Sequence, residues 1–114
     1  MTDCLFCKMA KGEIKPDMVL ETDDLIAFRD INPQATTHVL IVPRKHISTT
    51  NDLTAADSEL VGKLVLTAKQ IADQEGIAES GYRLVMNCNA GAGQTVFHIH
   101  LHLLGGRHMS WPPG

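Results

Sequence analysis

The alternation of apolar and polar positions divides the chain into seven candidate elements. Apolar residues recur at helical spacing over 54–76, which predicts one long helix, and over 4–12, which predicts a short one. Five β-prone runs predict strands at 18–21, 25–29, 38–42, 82–87 and 96–104. Short helix, three strands, long helix and two strands, in that order, predict an α+β domain with a mainly antiparallel sheet.

The last predicted strand carries three histidines on alternating residues, His98, His100 and His102. Successive strand side chains point to opposite faces, so the three imidazoles should share one face while Ile99 and Leu101 face a core. A single strand histidine is usually packed or solvated and has no chemical role. Three in register, opposite an apolar stripe, indicate an active site.

The spacing of these histidines favours covalent catalysis over metal binding by the motif itself. On a straight strand the backbones of His98 and His102 lie roughly 13 Å apart, and each lies about 6.6 Å from His100. Zinc holds nitrogen ligands at about 2.0–2.1 Å, so at most two of the three can share an ion. We therefore expect His100 to be a neutral nucleophile whose proton is held on Nδ1 by a backbone carbonyl.

A glycine-containing loop, residues 88–95, comes directly before the histidines. Gly91 and Gly93 allow close approach of backbone N–H groups to phosphate oxygens, and Gln94 and Thr95 add an amide and a hydroxyl. The loop lacks the spacing of a P-loop, and alone such a loop is more often a plain turn. Its position next to the histidines indicates a phosphoryl group as the electrophile.

Composition limits the class of protein. The 114 residues are 44% hydrophobic, which suits one compact domain, and no apolar run reaches membrane-spanning length. The beginning of the sequence does not look like a secretion signal, and three cysteines favour reduced thiols or metal ligands, so we expect a cytoplasmic protein. A net charge of −3 without a basic run argues against nucleic-acid polymers as partners.

The segment from His98 to Leu104 resembles the His-φ-His-φ-His-φ-φ signature of the histidine-triad (HIT) superfamily of nucleotide hydrolases and transferases. The resemblance extends over essentially the whole chain, and it is strongest to the Hint branch of purine nucleoside phosphoramidases. The segments that carry it are 28–35, 37–38, 43–48, 81–83, 93–94, 105–107 and 111–114. Uridylyltransferases of the superfamily carry Gln at the position of His102, so the third histidine favours the hydrolytic side.

This resemblance implies both a fold and a reaction. The fold is HIT-like, with a five-stranded, mainly antiparallel sheet, one long and one short helix, and a twofold dimer that joins two sheets into ten strands. It implies one domain over 1–114, with 105–114 as an irregular C-terminal arm. The reaction is hydrolysis of adenosine or guanosine 5′-phosphoramidates, and plausibly of acyl- or aminoacyl-adenylates, through a nucleotidyl-histidine without a catalytic metal.

The resemblance also implies roles for individual residues. The nucleophile is His100, and its orienting and proton-handling partners are His98, His102 and His38; the sequence does not decide which of them protonates the leaving amine. Asp30 resembles the acceptor for the ribose hydroxyls, although an Asp before Asn32 also suits a turn cap. The implied nucleotide contacts are Phe28, Asp30, Ile31, Asn87, Gly93, Gln94, Thr95, His100 and His102, with Trp111 placed against the partner protomer's site.

Cys4 and Cys7 have the C-x2-C spacing of half a zinc site. Some relatives that carry these cysteines complete a structural zinc site with histidines at the positions of His46 and His98. The alternative is a pair of reduced thiols without metal, and Cys88 fits neither scheme.

Three other functions compete with the phosphoramidase. In a zinc-dependent hydrolase His100 and His102 would bind the ion and water would attack directly, although a third protein ligand is not evident. A nucleotide-responsive scaffold would bind without turnover as its biological output. A dinucleoside polyphosphate hydrolase of the same superfamily would use the same histidines on a different substrate.

Overall fold

A computed structural model describes residues 3–114, and it contains one five-stranded sheet in the order β1-β2-β3-β5-β4. Every neighbouring pair of strands is antiparallel. The strands are β1 Met18–Glu21, β2 Leu25–Arg29, β3 Thr37–Pro43, β4 Tyr82–Val85 and β5 Leu101–Gly105, and the helices are α1 Leu5–Ala10 and α2 Ser58–Gln74. The predicted α+β class, with one short and one long helix, is confirmed.

The two faces of the sheet are covered by different helices because successive residues of a strand point in opposite directions. One face presents Ala27 and Ile41 to α2, which contributes Leu64, Ala68 and Ile71 to the larger core. The opposite face presents Ile26, Phe28, Leu40 and Val42 to Phe6 of α1, and these five residues form a second, smaller core. The histidines of the motif lie on the side of the sheet that α1 covers.

The long helix begins four residues later than the periodicity predicts. Residues Ala55–Asp57 form a 3₁₀ turn, and α2 begins at Ser58. The expected capping box is present, since the Thr54 backbone N–H donates to Asp57 Oδ2 at 3.0 Å. Gly76, at φ +75°, lies just past the end of the helix, where a left-handed residue commonly ends one.

The prediction that all three histidines belong to one strand is wrong. β5 begins at Leu101, so His98, which lies in a bend over residues 96–98, and His100 precede it without ladder pairing. In the register of the sheet, where Ile41 is opposite Leu101, the residue opposite Ile99 is Pro43, which has no N–H to donate. The Ile99 N–H donates instead to the carbonyl oxygen of Ile47 at 2.8 Å.

Other strand boundaries also differ from the predictions, and β3 extends one residue beyond the predicted 38–42 at each end. β4 ends at Val85 instead of residue 87, and Gly105 is the last residue of β5, so the irregular arm starts one residue later than expected. Within residues 3–114, none of the helices combines the length and the apolar character that crossing a bilayer requires.

Candidate active site and metal centre

The three histidines of the motif separate into two clusters instead of forming one row. His98 is fully buried, and its Nδ1 lies 3.3 Å from Sγ of Cys4. The side chain of His102 contacts His38 instead, with its Nδ1 2.9 Å from Nε2 of His38. His100 lies between the clusters, with its ring centroid 5.0 Å from that of His102.

His100 has the hydrogen bond that a nucleophilic imidazole needs. Its Nδ1 donates to the carbonyl oxygen of His98 at 2.8 Å, so in the neutral ring the lone pair is on Nε2. Burial lowers the pKa of His100, only partly opposed by that hydrogen bond, and the neutral form is therefore favoured at neutral pH. The geometry is the one expected of a nucleophile, and the role remains a prediction.

His38 and His102 form a directed chain of hydrogen bonds that starts at the backbone. The Gln34 N–H donates to Nδ1 of His38 at 3.0 Å, so the proton of the neutral His38 ring is on Nε2. That Nε2–H donates to Nδ1 of His102, which leaves the Nε2–H of His102 as a donor without a hydrogen-bond partner among residues 3–114. Sequence alone did not decide which histidine presents a proton to a leaving group, and this tautomer chain points to His102.

Both rings of this chain are kept neutral by their surroundings. Burial lowers the pKa of His38, with the nearby Asp30 carboxylate opposing it from 3.5 Å. Burial, followed by repulsion from His100 and His38, lowers the pKa of His102 to about 4. An anionic phosphoryl group beside these rings would raise both values, because opposite charge favours the protonated form.

Four residues on α1, the loop after β3 and the chain before β5 bring their ligand atoms together: Cys4, Cys7, His46 and His98. Nδ1 of His98 lies 3.3 Å from Sγ of Cys4 and 3.5 Å from Sγ of Cys7, Nδ1 of His46 lies 3.2 Å from Sγ of Cys7, and the two Nδ1 atoms are 3.2 Å apart. A tetrahedral zinc ion with bonds of about 2.0–2.1 Å to nitrogen and 2.3 Å to sulfur would place a nitrogen about 3.3–3.6 Å from another nitrogen or a sulfur. The donor set and its spacing therefore fit zinc.

The protonation of His98 also suits a metal ligand. Its Nε2 donates to the carbonyl oxygen of Pro43 at 2.7 Å, which leaves the Nδ1 lone pair aimed at the two sulfurs. Burial and the neighbouring Cys4 raise the pKa of the Cys7 thiol, so a bound metal would have to displace its proton. Pro43 thus contributes to this centre through its backbone alone.

Asp30, His38 and His102 form a second group whose ligand atoms lie within 4.8 Å of one another. A metal there would need the lone pair of His38 Nε2, but the Gln34 N–H already occupies Nδ1 and leaves the proton on Nε2. The group is therefore better suited to proton handling than to metal binding. Within residues 3–114, the metal-like clusters do not include His100, which disfavours the zinc-dependent hydrolase.

The residues expected at the nucleobase and ribose differ in exposure. Phe28 is 3% exposed and belongs to the smaller core, whereas Ile31 is 99% exposed and free to meet a ligand. One carboxylate oxygen of Asp30 accepts the Asn32 N–H at 2.9 Å, so this residue does cap the turn. Its other oxygen faces His38, which leaves both interpretations of Asp30 compatible with the structure.

The loop before the histidines is braced by one of its own predicted ligand contacts. The buried Gln94 side chain accepts the Asn89 N–H and donates to the carbonyl oxygens of Ser48 and Val96. Its amide is therefore engaged within the protein and shapes the loop. Gly93, at φ +92°, and Thr95 are exposed, and Asn87 is half-buried.

Two residues contribute to the site although the sequence does not predict their roles. Phe6 lies between the two cysteines and packs edge-on against His100, with ring centroids 5.0 Å apart. Its position inside the C-x2-C spacing was the available signal. Gln34 sets the tautomer of His38 through its backbone N–H, so its residue type does not reveal this role.

Two hydrogen bonds hold the C-terminal arm to the rest of the chain, but they leave Trp111 exposed. Arg107 Nε donates to the carbonyl oxygen of Gln34 at 2.8 Å, and Arg83 donates to that of Ser110 at 3.0 Å. Trp111 is nevertheless 82% exposed, so it does not dock on its own chain.

Comparisons with known proteins agree with this arrangement. The family model described as "HIT domain" matches residues 11–109. The purine nucleoside phosphoramidase of Escherichia coli is 51% identical over 105 residues, which cover 92% of this chain and 88% of that protein. The crystal structure of a HIT family hydrolase from Legionella pneumophila superposes with a TM-score of 0.97 at 59% identity, covering 98% of this chain and all of that one. A histidine triad protein from Clostridium difficile gives 0.93 at 37% identity, with 96% of each chain covered.

Proposed function

The chain belongs to the HIT domain family, and we propose that it is a hydrolase that cleaves the P–N bond of purine nucleoside 5′-phosphoramidates and releases AMP or GMP. The similarity to a protein named purine nucleoside phosphoramidase supports this substrate class. The observation that carries the mechanism is the Nδ1–H hydrogen bond of His100 to the carbonyl oxygen of His98, which aims a neutral Nε2 lone pair outward. Acyl- and aminoacyl-adenylates present the same α-phosphorus and are expected as further substrates.

The reaction proceeds in two displacements at the α-phosphorus. With the anionic substrate bound, His102 is in its protonated form. Nε2 of His100 attacks, the P–N bond breaks, and the departing nitrogen takes the Nε2 proton of His102, whose ring is left neutral. Water then attacks the nucleotidyl-histidine, the bond from phosphorus to His100 breaks, and the proton of the water returns to His102. We expect Gly93 and Thr95 to hold the phosphoryl oxygens, and Asp30 to accept hydrogen bonds from the ribose hydroxyls.

A structural zinc ion at Cys4, Cys7, His46 and His98 belongs to this proposal. When bound, the ion would cross-link α1 to the chain that precedes β5, because its ligands come from both. It has no part in either displacement. The residues that move protons are in the other cluster.

We also propose that two copies associate along β4. β4 pairs only with β5 among the described strands, so its other edge is unpaired. Tyr82 of β4 and Leu66 of α2 line one surface cavity there, and they are 36% and 65% exposed. A second copy would cover this surface and bring Trp111 near the partner's site. Sedimentation at twice the chain mass is the expected result, and a monomer at micromolar concentration would contradict it.

Turnover of adenosine 5′-phosphoramidate tests the proposed function directly. The wild-type protein should release AMP and ammonia, and His100→Ala should lose several orders of magnitude in turnover, because alanine cannot form the covalent intermediate. AMP should still bind to this variant, since the expected ribose and phosphate contacts are intact. Quenching with denaturant at alkaline pH, where a phosphorus–histidine bond survives, followed by peptide mass analysis should find the nucleotidyl group on His100 in the wild type.

His102→Ala provides the matched comparison. Its turnover should fall mainly with basic amine leaving groups, which need a proton, and much less with weakly basic aromatic amines. A nucleotidyl group on another residue would refute the mechanism. Tight AMP binding without turnover would support the scaffold, and faster cleavage of a dinucleoside polyphosphate would support the polyphosphate hydrolase.

A further inference from the structure

The Cys4, Cys7, His46 and His98 cluster is linked physically to His100, and the link passes through His98 and Phe6. His98 offers Nδ1 to the cysteine cluster, and its own carbonyl oxygen accepts Nδ1–H of His100 at 2.8 Å. One residue therefore takes part in the metal centre through its side chain and sets the tautomer of the nucleophile through its backbone. A rotation of the His98 peptide would move that carbonyl away from His100.

Sheet pairing does not fix this peptide. The ladder between β3 and β5 begins at Leu101, and His98 and His100 lie before it. The anchors that the structure provides are the Ile99 N–H bond to Ile47, the Nε2–H bond of His98 to Pro43 and the cysteine cluster. These contacts thus fix the backbone around His98, as ladder hydrogen bonds fix the backbone of β5.

Phe6 braces the same region from the side of α1. It is 4% exposed, and its ring meets three others edge-on: His100 at 5.0 Å and 84°, His98 at 5.9 Å and 73°, and Phe28 at 5.5 Å and 67°. Perpendicular arrangements at these distances are favourable for aromatic rings. Cys4 and Cys7 lie on either side of Phe6, so anchoring both sulfurs would also anchor this ring.

We propose that Phe6 is a positioning residue for His100, and that the Cys4, Cys7, His46 and His98 cluster holds Phe6 and the His98 carbonyl in register with the nucleophile. The inference rests on the proposed function for its kinetic part. The geometric part, a single tautomer of His100 in the free protein, is independent of any substrate. Metal occupancy would then tune the reactivity of His100 without the metal touching the reacting atoms.

Phe6→Leu is the primary test, because it removes the ring and keeps an apolar side chain. Expected is a fall in kcat of about ten- to a hundredfold, as for a misplaced catalytic group, with AMP affinity within about twofold of wild type. Imidazole ¹⁵N chemical shifts of the free protein should show His100 changing from one tautomer, protonated on Nδ1, to a mixture. Phe6→Met, a milder change, should give a smaller effect in the same direction.

Cys4→Ser/Cys7→Ser tests the role of the cluster in the same way. It should release the metal, broaden the His100 tautomer distribution and lower kcat, while the nucleotidyl-His100 intermediate still forms. Lys8→Ala, one residue after Cys7 on the same helix, is the control and should change neither measurement.

Two results would overturn the proposal. Unchanged tautomer spectra in both Phe6→Leu and the double cysteine variant would show that His100 is positioned without them. Weakened AMP binding with unaltered kcat in Phe6→Leu would make Phe6 a wall of the nucleobase site instead. If the wild type has no phosphoramidase activity, the proposed function fails, while the tautomer spectra still decide the positioning role.

Discussion

Two groups of side chains in this protein contain closely spaced histidine nitrogens, and they are built for opposite tasks. In the Cys4, Cys7, His46 and His98 cluster, two Nδ1 atoms and two sulfurs lie within 4.8 Å of one another, and four of their six separations are 3.2–3.5 Å. In the Asp30, His38 and His102 cluster, Nε2 and Nδ1 of the two histidines are 2.9 Å apart. Composition alone would allow a metal in either.

The difference comes from what the backbone offers to the remote nitrogen of each ring. The Pro43 carbonyl oxygen accepts from Nε2 of His98, which forces the proton outward and leaves a lone pair inside the cluster. The Gln34 N–H donates to Nδ1 of His38, which forces the proton of that ring inward. A lone pair binds metal, whereas an inward proton starts a hydrogen-bond chain. Ligand lists are therefore insufficient to assign a histidine cluster.

Zinc content and its effect on stability should separate the clusters most strongly. The purified protein should hold about one zinc ion per chain, and Cys4→Ser/Cys7→Ser should hold none, because two of four ligands are lost. At a free zinc concentration of about 1,000 times Kd, the metal should add roughly 4 kcal/mol to the free energy of unfolding. Metal analysis and urea unfolding with and without chelator measure the two effects.

Two controls make this prediction specific. Cys88→Ser should retain zinc, since Cys88 is a free cysteine that lies outside the cluster. Asp30→Asn should also retain zinc, because the Asp30, His38 and His102 cluster is assigned to proton handling. Zinc in the double cysteine variant, or its loss in Asp30→Asn, would reverse the assignment of the two clusters.

The pattern of residues predicts a helix or strand well where its hydrogen bonds depend on local sequence or on a neighbouring strand that can pair along its whole length. β1 and β2 have the predicted boundaries, and the capping box before α2 is present, because these features depend on local sequence. The motif strand was predicted too long because alternation of side chains does not reveal whether the opposite strand can pair. Here that strand ends at Pro43, 55 residues earlier in the chain than its contact His98.

The candidate site follows the same rule. The histidines and cysteines can be identified from their types and spacing, and the His100 hydrogen bond to a carbonyl was expected on chemical grounds. The identity of that carbonyl, the donor at Gln34 and the edge-on packing of Phe6 depend on long-range folding. Gln94 is the opposite case: its residue type and position suggest a phosphate contact, but its side chain points inward and forms hydrogen bonds that brace the loop.

The pH dependence of stability should sharpen the same comparison by a smaller effect. The pKa of His102 is about 4 in the folded chain, against an ordinary value of 6.5, chiefly because of burial. As the pH falls below 6.5 the unfolded chain binds this proton first, so stability that is fully present above that pH is lost progressively down to about 4. The loss is at most about 1.4 kcal/mol per pH unit for one group, or roughly 2 kcal/mol between pH 6.5 and 5.

His102→Gln cannot bind this proton, and its unfolding free energy should fall less steeply with acidification than that of the wild type at the same zinc concentration. Repeating the comparison in the Cys4→Ser/Cys7→Ser background should give the same difference, because His102 is outside the metal cluster. Urea titrations at half-unit pH intervals measure it, and parallel curves for wild type and His102→Gln would show that burial of His102 is not linked to folding.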